Sequence, residues 1–199
     1  MVEPSRYDVH GDELNILKNK LGITNPKTLE DTETILLSDT YTHFFDLLEK
    51  DELQFSIKLI FDIHKYFLST LYSWAGKIRT VNISKNNILF APVTHIEKAL
   101  TYFETTLDKN LPKNEDNKKV LAEKIAIIHC EFNFIHPFRE GNGRVIRLFL
   151  DLISVNQDYD MISFGKTTNK DYINACIAGM QQKYQPMSDI IYKGLIKKK

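Results

Sequence analysis

The chain has 199 residues, 43% hydrophobic and 26% charged, with 26 Lys and Arg against 26 Asp and Glu. These are the proportions of a folded protein with a core, and they exclude an intrinsically disordered chain. A formal charge of zero excludes a global field that would draw in nucleic acid or an anionic membrane.

From the N-terminus, Met1 to Asn15 is polar and lacks the apolar region of a signal peptide. Short helical patterns follow at Leu14–Leu21, Leu29–Leu36 and Tyr41–Leu48. Phe55 to Trp74 is a long apolar-periodic stretch, read as a helix closed by Gly76. Lys77 to Ala91 breaks the pattern. It alternates and is rich in β-branched residues, with Asn86-Asn87 at its middle, where a tight turn needs left-handed angles. The pattern alone leaves a hairpin and a simple connecting loop equally open. A hairpin would have to lie on the helical body, and its edge could accept another chain.

Ile96 to Leu107 predicts a helix capped by Thr94, and Asp108 to Lys119 a polar surface loop. Asn114 to Asp116 offer polar starts for the next helix. There Leu121, Ile125, Ile128, Phe132 and Ile135 recur at helical spacing, with Ala126, Ile127 and Phe134 on other sides. A helix apolar nearly all round is expected to be the buried central one. It must stop near Ile135, because Pro137 disfavours helical geometry for His136. A further helix runs from Gly143 through Ile153, with weaker ones at Lys170–Met180 and Ser188–Ile196. Cys130 and Cys176 form no disulfide framework or CxxC knuckle. They are read as reduced core residues, as expected of a cytoplasmic protein. No run of about 18 apolar residues predicts a membrane span.

The chemistry concentrates in HPFREGNGRVIR, His136 to Arg147. Gly141-Asn142-Gly143 at a helix start lets a ligand approach the free N–H groups of the first turn, where the helix dipole also favours anions. Asn142 can add a side-chain amide donor. Arg144 and Arg147, three apart, share a helix face, and two guanidinium forks suit the phosphates of a nucleotide. The alternative is a surface pair, with Arg147 bonded to Asp151 one turn on. Glu140 beside a phosphate site would repel it unless Mg²⁺ sat between them; its other reading is a helix cap. His136, with an ordinary pKa near 6.5, can take a proton from an incoming hydroxyl. His43, His64 and His129 read as satisfied core histidines. Neither a histidine metal site nor a GxSxG hydrolase elbow is present.

HPFREGNGRVIR resembles the signature of the Fic family (filamentation induced by cAMP), HxFx(D/E)GNGRxxR, at every fixed position. ILKNKLGI (Ile16 to Ile23) is similar to the N-terminal helix of stand-alone bacterial Fic toxins. YSWAGKIRTVNISKNNILFAP (Tyr72 to Pro92) resembles the family's helix end and target-docking flap. In all, residues 7–190 are covered. The resemblance implies an all-α Fic fold, a bundle of about eight helices with a small β-hairpin flap. It implies one domain over 1–199, with its core at 50–185 and the flap at 78–91.

The resemblance also implies transfer of AMP from ATP to a Ser, Thr or Tyr hydroxyl of a target protein. His136 is then the base and Glu140 the Mg²⁺ ligand. Gly141, Asn142 and Gly143 form the anion hole, Arg144 meets the β-phosphate and Arg147 the γ-phosphate. Phe138 is structural and Tyr172 lines the adenine pocket. Ser84, Lys85, Asn86, Asn87, Ile88, Leu89 and Phe90 form the flap.

Family enzymes are often silenced by a helix bearing (S/T)xxxE(G/N). No match occurs in these 199 residues, and Ser188 is followed four positions on by Tyr192. The resemblance therefore implies the toxin of a toxin–antitoxin pair, with the inhibitory helix on a separate small antitoxin docking near Arg147. Family toxins act on the ATP-binding subunits of type II topoisomerases, which makes these the expected targets; no direct nucleic-acid contact is expected. Transfer of UMP or phosphate, or a catalytically silent protein-binding module, are the alternatives. Gly143 argues against the phosphate-transferring branch, which carries lysine there.

Overall fold

The computed structural model describes residues 16–85, 88–113 and 117–198. Among them are seven α-helices: α1 (Pro26–Glu49), α2 (Ile57–Leu68), α3 (Ile96–Asn110), α4 (Lys118–Ile135), α5 (Asn142–Asn156), α6 (Asn169–Met180) and α7 (Gln185–Gly194). The only strands among the described residues are β1 (Ser84–Lys85) and β2 (Ile88–Leu89). They pair antiparallel, Ser84 opposite Leu89 and Lys85 opposite Ile88.

α4 is the centre of the bundle. It packs against α3, α5, α6 and α7, and buries Leu121, Ile125, Ile128, Phe132 and Ile135. Its all-round apolar pattern follows from those four neighbours. Asn117 caps it by accepting from the N–H groups of Lys119 and Val120; Asn114 to Asp116, the expected starts, lie outside the described residues. α2 packs on α1 and α5, closing the core around Phe67, Phe138 and Phe149. No helix among the described residues is long and apolar enough to cross a membrane.

Several boundaries differ from expectation. The patterns at 29–36 and 41–48 are one helix, α1, because nothing between them breaks it; buried Thr40 satisfies its hydroxyl on the Leu36 carbonyl at 2.6 Å. No helix forms over 16–21. The Asn19 side chain instead closes a loop, accepting from Ile23 N–H at 2.9 Å and donating to the Ile23 carbonyl at 2.8 Å. α2 ends at Leu68, short of Trp74, where Lys20 N–H takes the Leu71 carbonyl and Lys20 Nζ that of Ser69. Gly76 therefore caps no helix; its φ of +74° serves a separate turn. Thr94 lies inside a 3₁₀ turn (Val93–His95), and His95 precedes α3 without a side-chain cap. The loop expected at 108–119 is shorter, since α3 reaches Asn110 and α4 starts at Lys118.

Candidate active site

The site forms where α4 hands over to α5. α4 ends at Ile135 and is capped by His136, whose φ of 48° and ψ of 59° are left-handed and turn the chain sharply. Five residues later Gly141, with φ +84°, opens α5. A Cβ at Gly141 would also come within 2.9 Å of Leu68 Cδ1, so backbone and packing both require glycine there.

Asn142 fixes the loop between. Its Oδ1 accepts from Phe138 N–H at 2.9 Å and its Nδ2 donates to the Phe138 carbonyl at 2.7 Å. With 2% exposure, the side chain is committed to this clamp rather than aimed at a ligand. What Asn142 can offer an anion is its main-chain N–H.

His64 braces the loop from α2. The Glu140 carbonyl, 3.0 Å from His64 Nε2, can only accept, so Nε2 carries the proton. Nδ1 then accepts from Gly76 N–H at 2.7 Å. Its ring stacks on Phe138 at 3.7 Å. Burial lowers its pKa to about 4, so the ring is neutral at pH 7. The sequence reading of a satisfied core histidine agrees with this, and the brace on the motif is added to it.

His136 is 9% exposed. Its Nδ1 lies 3.3 Å from the Asn133 carbonyl, an acceptor, which favours the proton on Nδ1 and leaves Nε2 basic. Phe90, from the hairpin segment, stacks on the imidazole at 3.8 Å. Of the other flap residues, Ser84, Lys85, Ile88 and Leu89 form the paired strands, and Leu89 is 76% exposed. Asn86 and Asn87 lie outside the described residues.

The two arginines differ. Arg144 is half-buried over the Phe67 ring. Its Nη1 meets Glu33 Oε2 at 2.5 Å and its Nη2 meets Glu140 Oε1 at 3.3 Å. Glu33 is held in turn by the Tyr72 hydroxyl at 2.9 Å. Arg147 is exposed and forms no ion pair among the described residues. The pairing with Asp151 does not occur: Asp151 accepts from Tyr41 OH at 3.0 Å and from Ile162 N–H at 2.8 Å. Glu140 also accepts from Gly141 N–H at 2.9 Å, so the carboxylate does reach the start of α5.

Gly143 is informative for what surrounds it. A Cβ there would meet no atom within 4 Å, and its backbone is helical. Neither strain nor packing asks for glycine, whereas a ligand lying against the first turn would. α5 also lacks a side-chain cap.

Tyr172 lies near enough to Arg147 for the guanidinium charge to act on its hydroxyl. On α6, its hydroxyl lies 2.8 Å from Nε2 of the fully buried His129, and its ring meets Phe164 edge-on. His129 Nδ1 has no partner among the described residues. Sequence reasoning missed Glu33, Tyr72 and Arg79 as parts of this site. For Glu33 and Arg79 the only signal was a charge standing in a half-buried helix or an apolar segment, and Tyr72 gave none.

The Fic/DOC family model matches residues 54–154. Protein adenylyltransferase VbhT of Bartonella schoenbuchensis is 28% identical over 184 residues, covering 92% of this chain but 38% of that protein. The chain thus spans well under half of VbhT. The probable protein adenylyltransferase y4lH of Sinorhizobium fredii is 25% identical, over 92% of this chain and 95% of its own length. Among solved structures, BepC from Bartonella tribocorum, determined with bound AMPPNP, matches with a TM-score of 0.75 and 25% identity over 95% of this chain and 96% of that one.

Proposed function

The chain belongs to the Fic/DOC family, and on that footing we propose that it transfers AMP from ATP to a hydroxyl side chain of another protein. The observation that carries the reading is the open first turn of α5, bare at Gly143, one short loop from the His136 imidazole. An anion site and a base are thereby joined by a loop that Asn142 and His64 hold from inside. The names of VbhT and y4lH and the nucleotide analogue bound to BepC support the same activity.

In this reaction the triphosphate lies along the α5 N-terminus at the Gly141–Gly143 turn, met by the main-chain N–H groups of Asn142 and Gly143, while Gly141 N–H stays on Glu140. Arg144 faces the β-phosphate and Arg147 the γ-phosphate. His136 Nε2 takes the proton of the acceptor hydroxyl. The oxygen attacks the α-phosphorus in line, a new P–O bond forms, the α–β bridge breaks, and pyrophosphate leaves. The hairpin at 78–91 registers the acceptor segment, and Tyr172 borders the adenine. The whole chain, 1–199, acts as one cytoplasmic domain.

Mg²⁺ fits the residues present. Glu140 lies at the start of α5, its Oε1 accepting from Gly141 N–H at 2.9 Å and standing 3.3 Å from Arg144 Nη2. A hard oxygen donor at that place, beside a site for phosphates, suits Mg²⁺, which takes one or two protein carboxylates. Bound by Glu140, it would neutralise developing phosphate charge.

The inhibitory (S/T)xxxE(G/N) helix, which these residues do not carry, is in this reading supplied by a separate small antitoxin that docks beside exposed Arg147. The ATP-binding subunits of type II topoisomerases are the targets to try first. The test is incubation with α- and γ-labelled ATP, Mg²⁺ and those subunits or a bacterial lysate. Label on protein from the α position alone supports AMP transfer. Label from γ alone means a kinase, and none with any nucleotide favours a binding module.

A further inference from the structure

Arg79 is 3% exposed, and every hydrogen-bond partner of its guanidinium among the described residues is a main-chain carbonyl. Nε donates to His136 O at 2.8 Å and Nη1 to Val81 O at 2.6 Å. Nη2 donates to Ala91 O at 2.5 Å and Ile135 O at 3.3 Å. Burying an unpaired cation is costly unless its donors are matched. Here the match is electrostatic as well as geometric. Ile135 and His136 are the last carbonyls of α4, the negative end of its dipole, where a cation is stabilised. The other two carbonyls flank the hairpin. The main chain repeats the tie, with Arg79 N–H on Pro137 O at 2.8 Å and Ala91 N–H on Phe134 O at 3.1 Å.

We propose that Arg79 is a positioning residue that binds the hairpin base and the main chain of His136 to one guanidinium, so that the segment docking the acceptor and the base that deprotonates it share a fixed geometry. The inference rests on the proposed transfer reaction. A carbonyl set spread over two segments needs a planar fork with several donors. Lysine, with three donors at one point, keeps the charge but cannot span both. Arg79 touches neither nucleotide nor acceptor, so its loss acts on the alignment of His136 and leaves the anion site on α5 alone.

The test compares full-length Arg79→Lys with Asn82→Ala. Asn82 ties the hairpin base elsewhere, its Oδ1 accepting from Val93 N–H at 2.9 Å. With the ATP-binding subunit of DNA gyrase as acceptor, Arg79→Lys is expected to lower kcat by about tenfold or more at unchanged ATP affinity. Asn82→Ala is expected chiefly to raise KM for the acceptor. A kcat for Arg79→Lys equal to wild type, or a loss matched by weaker ATP binding, overturns the proposal. If Arg79→Lys shows no cooperative melting, Asn82→Ala still decides by NMR. The Arg79 Nε–H and His136 ring ¹⁵N signals should move with the hairpin amides, and stationary signals at both overturn it. If wild type labels no protein under any condition, the transfer reading itself fails, and the NMR comparison still judges Arg79.

Discussion

Glu33 on α1 and Arg144 on α5 form an ion pair of 2.5 Å across 111 residues of sequence. Their side chains are 13% and 23% exposed, so the pair lies between the exposed and buried regimes. Glu33→Gln should therefore destabilise the fold by about 1–3 kcal/mol, a few degrees of melting temperature. It should also strengthen ATP binding without Mg²⁺, because it removes a carboxylate that competes for Arg144. Thermal unfolding checks the first and calorimetric titration with ATP, with and without Mg²⁺, the second. Weaker ATP binding in the variant would show that Glu33 holds Arg144 ready instead of competing for it.

Gly143→Ala separates ligand from fold. A methyl there meets nothing within 4 Å, and alanine is the better helix former by up to about 1 kcal/mol. The melting temperature should hold or rise while ATP affinity falls about tenfold or more, a loss of about 1.4 kcal/mol. A variant that melts lower with unchanged ATP affinity would make Gly143 a structural residue.

Asn142→Ala should show the reverse balance. It removes two bonds to the Phe138 main chain in a buried loop and leaves both Phe138 groups unmatched. The cost is expected at about 2–4 kcal/mol, read by urea unfolding, with transfer activity lost alongside. Wild-type stability in this variant would mean that the clamp does not set the loop.

The sequence made legible what is local. The end of α4 before Pro137, the glycine opening of α5 and the central place of α4 each follow from neighbours in the chain. Less legible was the support around them. Arg79 reaches His136 over 57 residues and His64 reaches Glu140 over 76, and no local pattern marks either. Arg144 and Arg147 read as an equivalent pair by spacing. Arg144 is set apart by two carboxylates, Glu140 four residues back and Glu33 of α1, which packs on α5, and only the first lies within reach of a local pattern. The weak helices at 29–36 and 41–48 read as two because polar residues between them hid a continuous helix.

Acid should unfold the protein through its buried histidines. His64 and His129 have pKa values lowered to about 4, chiefly by burial. Protonating His64 would also set an Nδ1–H against the Gly76 N–H that it now accepts from. A folded pKa below the unfolded value near 6.5 means that the stability is present above pH 6.5 and lost as pH falls toward 4. Asp151 works the other way. Burial raises its pKa to about 6 despite the bonds from Ile162 and Tyr41, so its contribution is present near pH 4 and lost as pH rises through 6. Between pH 4 and 6 the unfolded chain therefore holds up to about two histidine protons that the folded chain lacks, and the folded chain up to one on Asp151 that the unfolded chain lacks. Stability should fall on acidification by up to about 1.4 kcal/mol per pH unit, one net proton. Asp151→Asn removes the opposing proton and should steepen that slope toward about twice the value. Urea unfolding from pH 7.5 to 4.5 measures both slopes. A wild-type stability that rises on acidification would mean that these histidines are already protonated in the fold.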